Sequence, residues 1–201
     1  MSELQQAATL VRPHGLEADT WQRFEPTEAQ ALPPDDGDWL VPLAVWRAAH
    51  AELRGRRRPV GVLLAPADDP LELAEAGRID EQGLALIAVD FPVYTDGRGY
   101  SIAYMLRTRL GWQGELRAVG DVLIDTIHYQ ARAGFDSFAV KPGHDPEQAL
   151  KAFGTFTAAY QRSYSTPAAR AGESAREEEA AAMPAVRPTH RPPQGAAGWQ
   201  G

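Results

Sequence analysis

The stretch from Phe91 to Asp136 holds the densest set of side chains that could carry out chemistry. Asp96 and Asp121 each stand beside a glycine turn, and either one is a candidate catalytic acid or base. Glycine allows the backbone to turn with positive φ or to approach another group closely. A charged side chain next to such a turn is therefore well placed to bind or to react. These residue types predict a site, but they do not identify its substrate.

Four further residues are candidates for binding a ligand: Arg98, Tyr100, Ser101 and Arg117. The first three follow Asp96 directly before a predicted helix, and backbone N–H groups at a helix start attract anions. The alternative for this turn is a structural glycine turn in which Ser101 caps the helix.

Arg117 lies in the middle of a predicted strand, where a buried guanidinium must be paired because an unpaired buried charge is costly. Asp96, Asp121 and Asp125 are its candidate partners. One interpretation is an arginine–carboxylate staple between two loops. The other is a guanidinium held ready for an anionic ligand, since its planar fork fits oxyanions.

The chain lacks the motifs of the common cofactors. It has no cysteine and no GxGxxG or Walker fingerprint, and its 5 histidines have no metal-ligand spacing. We therefore predict no cofactor and no metal. A net charge of −7 argues against nucleic-acid binding. We recognise no leader and no apolar run of bilayer length in the sequence. The expected location is therefore the cytoplasm, with no membrane contact.

Short apolar runs alternate with helical patterns between residues 39 and 161. The runs are continuous and not alternating, which is typical of a parallel sheet covered on both faces. The predicted fold is an α/β domain of about five parallel strands in an open doubly wound sheet. The alternative is a partial (β/α) barrel. In that case a homodimer, in which a second copy of the chain closes the barrel, is a further alternative. Strands are predicted at 39–46, 59–65, 84–89, 115–119 and 136–140, and helices at 47–54, 71–76, 101–110, 122–133 and 145–161.

Composition divides the chain into three parts. Residues 1–38 are predicted to be an irregular lead-in with a short edge strand at 8–11, and residues 39–162 to be the α/β domain. Residues 163–201, rich in Ala, Pro, Arg and Glu, are predicted to be a disordered tail. In a parallel sheet the loops at the carboxyl ends of the strands share one edge, so Asp96, Arg98, Arg117 and Asp121 are expected in a common cleft.

The glycine-rich motifs also resemble a known family. They are Phe91-Pro92, the run from Asp96 to Ser101, and the runs 114–118, 120–123 and 134–136. This set, with Arg107 and Arg109, resembles the uncharacterised bacterial family described as an oxidoreductase of sulfite reduction, over residues 39–140. At position 126 this chain has Thr126 where that pattern more often has glutamine.

The resemblance implies a process more than a reaction. Members of that family sit beside the genes for the sulfite reductase hemoprotein and for sulfate activation, which implies a role in assimilatory sulfate reduction. The first hypothesis is an accessory protein that assists sulfite reductase, with the hemoprotein as its partner. The alternative is an enzyme or binding domain for a small anionic ligand at the carboxyl ends of the strands.

Overall fold

The structure is a computed structural model that describes residues 9–141 and 143–153. In chain order the elements are strands β1 (Thr9–Arg12), β2 (Gly15–Ala18), β3 (Gln22–Arg23) and β4 (Trp39–Pro42), helix α1 (Leu43–Arg54), strand β5 (Val60–Leu64), a 3-10 turn (Pro70–Leu73), the hairpin β6 (Ala74–Glu75) and β7 (Arg78–Ile79), strand β8 (Leu84–Phe91), helix α2 (Arg98–Thr108), strand β9 (Glu115–Gly120), helix α3 (Ile124–Ala133), strand β10 (Ser137–Ala139) and helix α4 (Pro146–Ala152).

Eight of the strands form one sheet in the order β2-β1-β10-β9-β8-β5-β4-β3. The pairs from β3 to β10 are parallel, and β1 pairs antiparallel with both β2 and β10. The predicted α/β class, with mostly parallel strands between helices, is confirmed. Within the parallel part the spatial order follows the chain order, without the reversal of a doubly wound sheet. This arrangement is consistent with the alternative prediction of a partial barrel.

The connection between β2 and β3 requires the sheet to curl. These two strands are the opposite edges of the sheet, yet only residues 19–21 separate them in the chain. In a flat sheet, edges seven strand spacings apart would be about 34 Å from each other. Four Cα steps span at most about 15 Å. The two edges must therefore approach each other, and residues 19–21, called the strap below, cross the mouth of the curled sheet.

The two faces of the sheet carry different side chains. The outer face packs against the helices and holds large apolar groups, including Val62, Ile87, Val89, Leu116 and Phe138. The inner face, called the bore below, is smaller and mixed. Its apolar cluster is Leu40, Leu86, Ala88 and Val119, against which Trp21, Leu63 and Ala139 pack.

Most predicted elements are present, but the helix predicted at 71–76 is wrong: residues 71–75 belong to the 3-10 turn and to strand β6. The other differences concern where helices begin. Helix α1 begins at Leu43, because Pro42 ends β4 with a φ of −57° and serves as the N-cap. Helix α2 begins at Arg98, so Ser101 lies in its first turn and does not cap it. Asp145 and Pro146 open α4 as predicted, and Asp145 accepts a hydrogen bond from the backbone of Glu147.

The N-terminal lead-in contains more regular structure than predicted. Its strand β1 lies between β2 and β10 and is not at the edge of the sheet. The sequence offers no sign of this position, because it depends on a pairing with a strand far along the chain. The domain boundaries stay a prediction, and the predicted tail, 163–201, lies outside the described residues. No helix in the described part of the chain is long and apolar enough to cross a membrane.

Candidate functional site

Asp96 and Arg98 form an ion pair where the preceding loop enters α2. Arg98 donates from Nε and Nη2 to the Asp96 carboxylate, at 3.0 and 2.7 Å, and its backbone N–H donates to the same group. The hydrogen bonds from the Arg98 side chain and backbone hold the pKa of Asp96 below its ordinary value. The predicted acid and the predicted anion-binding residue therefore neutralise each other.

Asp121 joins two neighbouring loops at the carboxyl ends of the strands. It accepts a hydrogen bond from Lys141 Nζ at 2.6 Å and another from the backbone N–H of Tyr94 at 3.0 Å. These two hydrogen bonds, from Lys141 first, lower the pKa of Asp121. A carboxylate with a lowered pKa stays ionised at neutral pH, which suits it poorly to a general-acid role. Asp121 does not cap α3, whose N-cap is Leu123.

Tyr100 and Ser101 lie in the first turn of α2. The Tyr100 ring packs edge-on against Phe91, with ring centroids 5.6 Å apart, and burial raises the pKa of its phenol. Ser101 is exposed. The phenol therefore stays protonated near neutral pH, and the packing of its ring on Phe91 is a structural contact.

Two glycines of the motif make room for Phe91 and not for a ligand. A Cβ at Gly99 would lie 2.5 Å from the Phe91 ring, and one at Gly120 would lie 2.5 Å from the Phe91 carbonyl oxygen. Gly120 also has a φ of 95°, in the region that favours glycine. Gly97 differs, since a Cβ there would meet nothing within 4 Å.

Arg117 lies in the bore, with only 2% of its side chain exposed. Its Nη1 donates to Asp19 at 2.7 Å, and its Nε and Nη2 donate to Glu115 Oε1 at 2.9 and 2.7 Å. The guanidinium carbon also lies 5.8 Å from the centroid of the Trp21 ring. The predicted partners Asp96, Asp121 and Asp125 do not make these contacts. The arginine–carboxylate staple is the arrangement observed, with other carboxylates.

Glu115 is the centre of this bore cluster. It also accepts hydrogen bonds from Ser137 Oγ at 2.6 Å and from Arg12 Nη2 at 2.7 Å. Burial alone would raise the pKa of Glu115, but the hydrogen bonds from Ser137, Arg12 and Arg117, with the charge of Arg117, hold it below its ordinary value. The cluster thus ties β1, β9 and β10 to the strap.

Arg107, one of the arginines of the family pattern, is likewise buried inside the structure. It donates to the backbone carbonyls of Gly134, Trp112 and Gly114, and its guanidinium pairs with Asp136. Burial raises the pKa of Asp136, although this carboxylate also accepts the backbone N–H of the second residue of β9. These contacts join α2 to the starts of β9 and β10, so the role of Arg107 is structural.

The predicted residues therefore form three groups and not one. Asp96 pairs with Arg98, Asp121 pairs with Lys141, and Arg117 belongs to the bore cluster. Within residues 9–141 and 143–153, no hydrogen bond or ion pair joins one group to another. The same described residues contain no group of three or more His, Asp or Glu that could hold a metal ion.

Sequence reasoning missed the partners of Arg117. Glu115 is two residues earlier in the same strand, so the alternation of side chains along β9 places both on one face. The pairing of Arg117 with Glu115 was therefore predictable from the sequence. Asp19 lies 98 residues from Arg117 in the chain, and nothing local predicts their contact.

The fold and these clusters together define a curled α/β domain in which the buried arginines, Arg107 and Arg117, are paired with carboxylates of the same chain. Residues 61–170, just over half of the chain, match the family described as a bacterial protein of unknown function, DUF934. The chain belongs to this family. Searches of curated proteins and of solved structures each found no match.

Proposed function

We propose that this protein is an accessory protein of assimilatory sulfite reduction, which assists sulfite reductase by binding its hemoprotein. The process is the one implied by the resemblance of the motifs between Phe91 and Asp136. The mode of action is supported by the loop that follows β8. There, Val93 and Tyr94 are 51% and 50% exposed, on a backbone that its neighbours hold in place.

The loop is held by hydrogen bonds at both of these positions. The backbone N–H of Tyr94 donates to Asp121, and the carbonyl of Val93 accepts from the backbone N–H of Asp96 at 3.0 Å. An apolar pair on an ordered loop loses little conformational entropy on binding. Exposed tyrosines of this kind are frequent hot spots of protein interfaces.

The cations around this loop favour a binding role over catalysis on a small anion. Arg98, Lys141 and Arg23 pair with Asp96, Asp121 and Asp90, respectively. An incoming sulfite or sulfate would have to compete with a carboxylate that is already in place. A protein surface meets no such obstacle, because it can use the apolar loop and leave these pairs intact.

The test is binding to the purified hemoprotein, followed by calorimetry and by sulfite turnover. We expect a saturable complex and a change in turnover when the protein is added. The change Tyr94→Ala should weaken binding at least about tenfold, as for a central tyrosine in an interface. Tyr104→Ala is the matched control, because Tyr104 is 58% exposed on α2. The absence of both a complex and an effect on turnover would refute the proposal.

The alternative, binding of a small anion in the loop before α2, rests on one observation. The Arg98 side chain is 62% exposed, and the start of α2 beside Gly97 is open. Calorimetric titration with sulfite, sulfate and adenylated sulfate tests this candidate. Arg98→Gln should abolish any saturable heat, while Arg47→Gln, an exposed arginine paired with Glu72 on another surface, should not. Equal weak heats for all three proteins would remove it.

A further inference from the structure

The strap places two side chains against the guanidinium of Arg117. Asp19 accepts a hydrogen bond from Nη1 at 2.7 Å, and the ring of Trp21 has its centroid 5.8 Å from the guanidinium carbon. A charge-assisted hydrogen bond and a cation–π contact are the two ways in which arginine holds an anionic aromatic molecule. The strap thus presents to Arg117 a carboxylate and a planar ring side by side.

The strands next to Arg117 leave room for these groups. Its register partners are Ala88 on β8 and Ser137 on β10, both of which are small. Trp21 packs against the apolar cluster of the bore, which includes Ala88 and Val119. The indole ring therefore fills space that the sheet itself leaves unfilled.

The balance of charge in the bore also depends on a side chain of the strap. Arg12 and Arg117 carry two positive charges, and Glu115, which both of them contact, carries one negative charge. Glu17 also pairs with Arg12, but it is 57% exposed at the surface. Asp19 supplies the second partly buried carboxylate, so the bore without Asp19 has an excess of positive charge.

The strap is short and its attachments to the sheet edges are polar. The Thr20 hydroxyl donates to Asp38 at 2.7 Å, whereas the bond from the Trp21 backbone N–H to Asp19, at 3.1 Å, lies within the strap. The backbone N–H of Gln22 donates to the carbonyl of Asp38 at 3.0 Å. Withdrawing Asp19 and Trp21 from the bore breaks the hydrogen bond to Arg117 and the packing of Trp21 on the apolar cluster, but it breaks no backbone pairing, because the strap belongs to neither edge strand.

We propose that the bore beneath the strap is a binding site for a small planar anion, in which Asp19 and Trp21 occupy the places of the ligand's acidic group and ring. Arg117 binds the acidic group through Nη1, and the ring lies where the indole of Trp21 lies. The strap is then an internal competitor of the ligand. This site lies in the bore and not on the loop of Val93 and Tyr94, so it goes beyond the proposed function.

Indole-3-acetate is a suitable probe, because it joins a carboxylate to an indole ring. We expect the double variant Asp19→Ala/Trp21→Ala to bind it at least about tenfold more tightly than the wild type, since no strap side chain competes for the site. Acetate and indole, which each supply one half of the probe, should bind this variant more weakly. Isothermal calorimetry measures all of these affinities.

The matched control is Thr20→Ala/Gln22→Ala, which alters two exposed side chains, one in the strap and one at the start of β3. It should bind the probe as weakly as the wild type does. In the double-variant background, Arg117→Lys keeps the charge but removes the planar fork, and it should reduce the affinity at least about fivefold. Equal affinity with arginine and lysine would overturn the assignment of Arg117.

Asp19→Asn keeps the shape of the strap and removes only its charge, so it serves if the double variant fails to fold. Here the probe should raise the melting temperature more than it does in the wild type. No saturable binding to a folded variant of either kind would overturn the proposal. Hemoprotein binding is measured separately with the wild type, so failure of one proposal leaves the other standing.

Discussion

The bore and the loops at the carboxyl ends of the strands hold ion pairs of nearly equal length in different surroundings. Arg117 and Asp19 are 2.7 Å apart, and Lys141 and Asp121 are 2.6 Å apart. The Arg117 side chain is 2% exposed, whereas that of Lys141 is 51% exposed. Water and salt screen the exposed pair, but they reach the buried pair much less. The same chemistry therefore holds the fold together in the bore and only orients loops at the surface.

The largest effect is expected from removing the buried cation. Arg117→Met would leave Glu115 and Asp19 without their shared partner, and it should lower the free energy of unfolding by about 3–5 kcal/mol. Urea denaturation followed by circular dichroism measures this loss. Arg98→Met removes an exposed guanidinium and should leave the unfolding midpoint unchanged. Equal losses in both variants would show that burial does not distinguish the two regions.

A smaller loss of stability is expected when a methyl group is added beside the Phe91 ring. A Cβ at Gly99 would lie 2.5 Å from the Phe91 ring, so Gly99→Ala should cost about 1–3 kcal/mol of stability through overpacking. Gly97→Ala is the matched control in the same loop, where a Cβ meets nothing within 4 Å and φ is −73°. If Gly97→Ala were the more damaging change, the structural role given to Gly99 would be wrong.

The bore cluster should also make stability depend on pH. The folded-state pKa of Glu115 is lowered, so its ionised form contributes stability that is complete above the ordinary pKa of glutamate. This contribution is lost as the pH falls through the lower, folded-state value. Glu115→Gln should cost about 1–3 kcal/mol at pH 7 through its lost hydrogen bonds to charged partners.

The difference in unfolding free energy between the wild type and Glu115→Gln should therefore become smaller as the pH falls. Urea unfolding between pH 7 and pH 3 measures the difference at each pH. Asp136 acts in the opposite direction, because its folded-state pKa is raised and its ionised form is the disfavoured one. The charge of Glu115 is one cause of this raised pKa, so Glu115→Gln also makes Asp136 easier to ionise and offsets part of the change with pH. A difference that stayed constant down to pH 3 would contradict the role of Glu115.

The smallest effect is expected from the exposed pair. Lys141→Ala should leave the unfolding midpoint unchanged, because an exposed ion pair contributes little and salt screens it. Its effect should appear locally, as faster hydrogen exchange at the backbone N–H of Tyr94, which donates to the partner carboxylate Asp121. Unchanged exchange at Tyr94 would mean that Lys141 does not help to order this loop.

Much of the fold was predictable from local pattern. The run of apolar residues in β8, the glycine that ends α3 with a φ of 115°, and the Asp145–Pro146 start of α4 all depend on residues that are neighbours in the chain. The starts of α1 and α2 were placed three or four residues late. Apolar spacing alone does not show where a strand stops and a helix begins when no polar cap separates them.

The candidate site was predictable only in part. Arg117 was correctly identified as a residue that must be paired, because a charge in the middle of an apolar strand requires a partner. The identity of that partner, Asp19, depends on the curl that brings the strap across the bore. The glycine turns are expected from the sequence to place charged side chains for binding or reaction, whereas Gly99 and Gly120 accommodate the protein's own ring and carbonyl group.

The sequence by itself determined the α/β class, the parallel strands and the need for a partner to Arg117, because periodicity and burial of charge act over a few residues. Tertiary structure alone decided that the sheet curls, that β1 is an inner strand and that Asp19 closes the bore. These features depend on contacts between segments about 100 residues apart, such as Asp19 with Arg117. Local propensity carries no information about such contacts, which form only when the strand order and the three-residue strap bring the two edges of the sheet together.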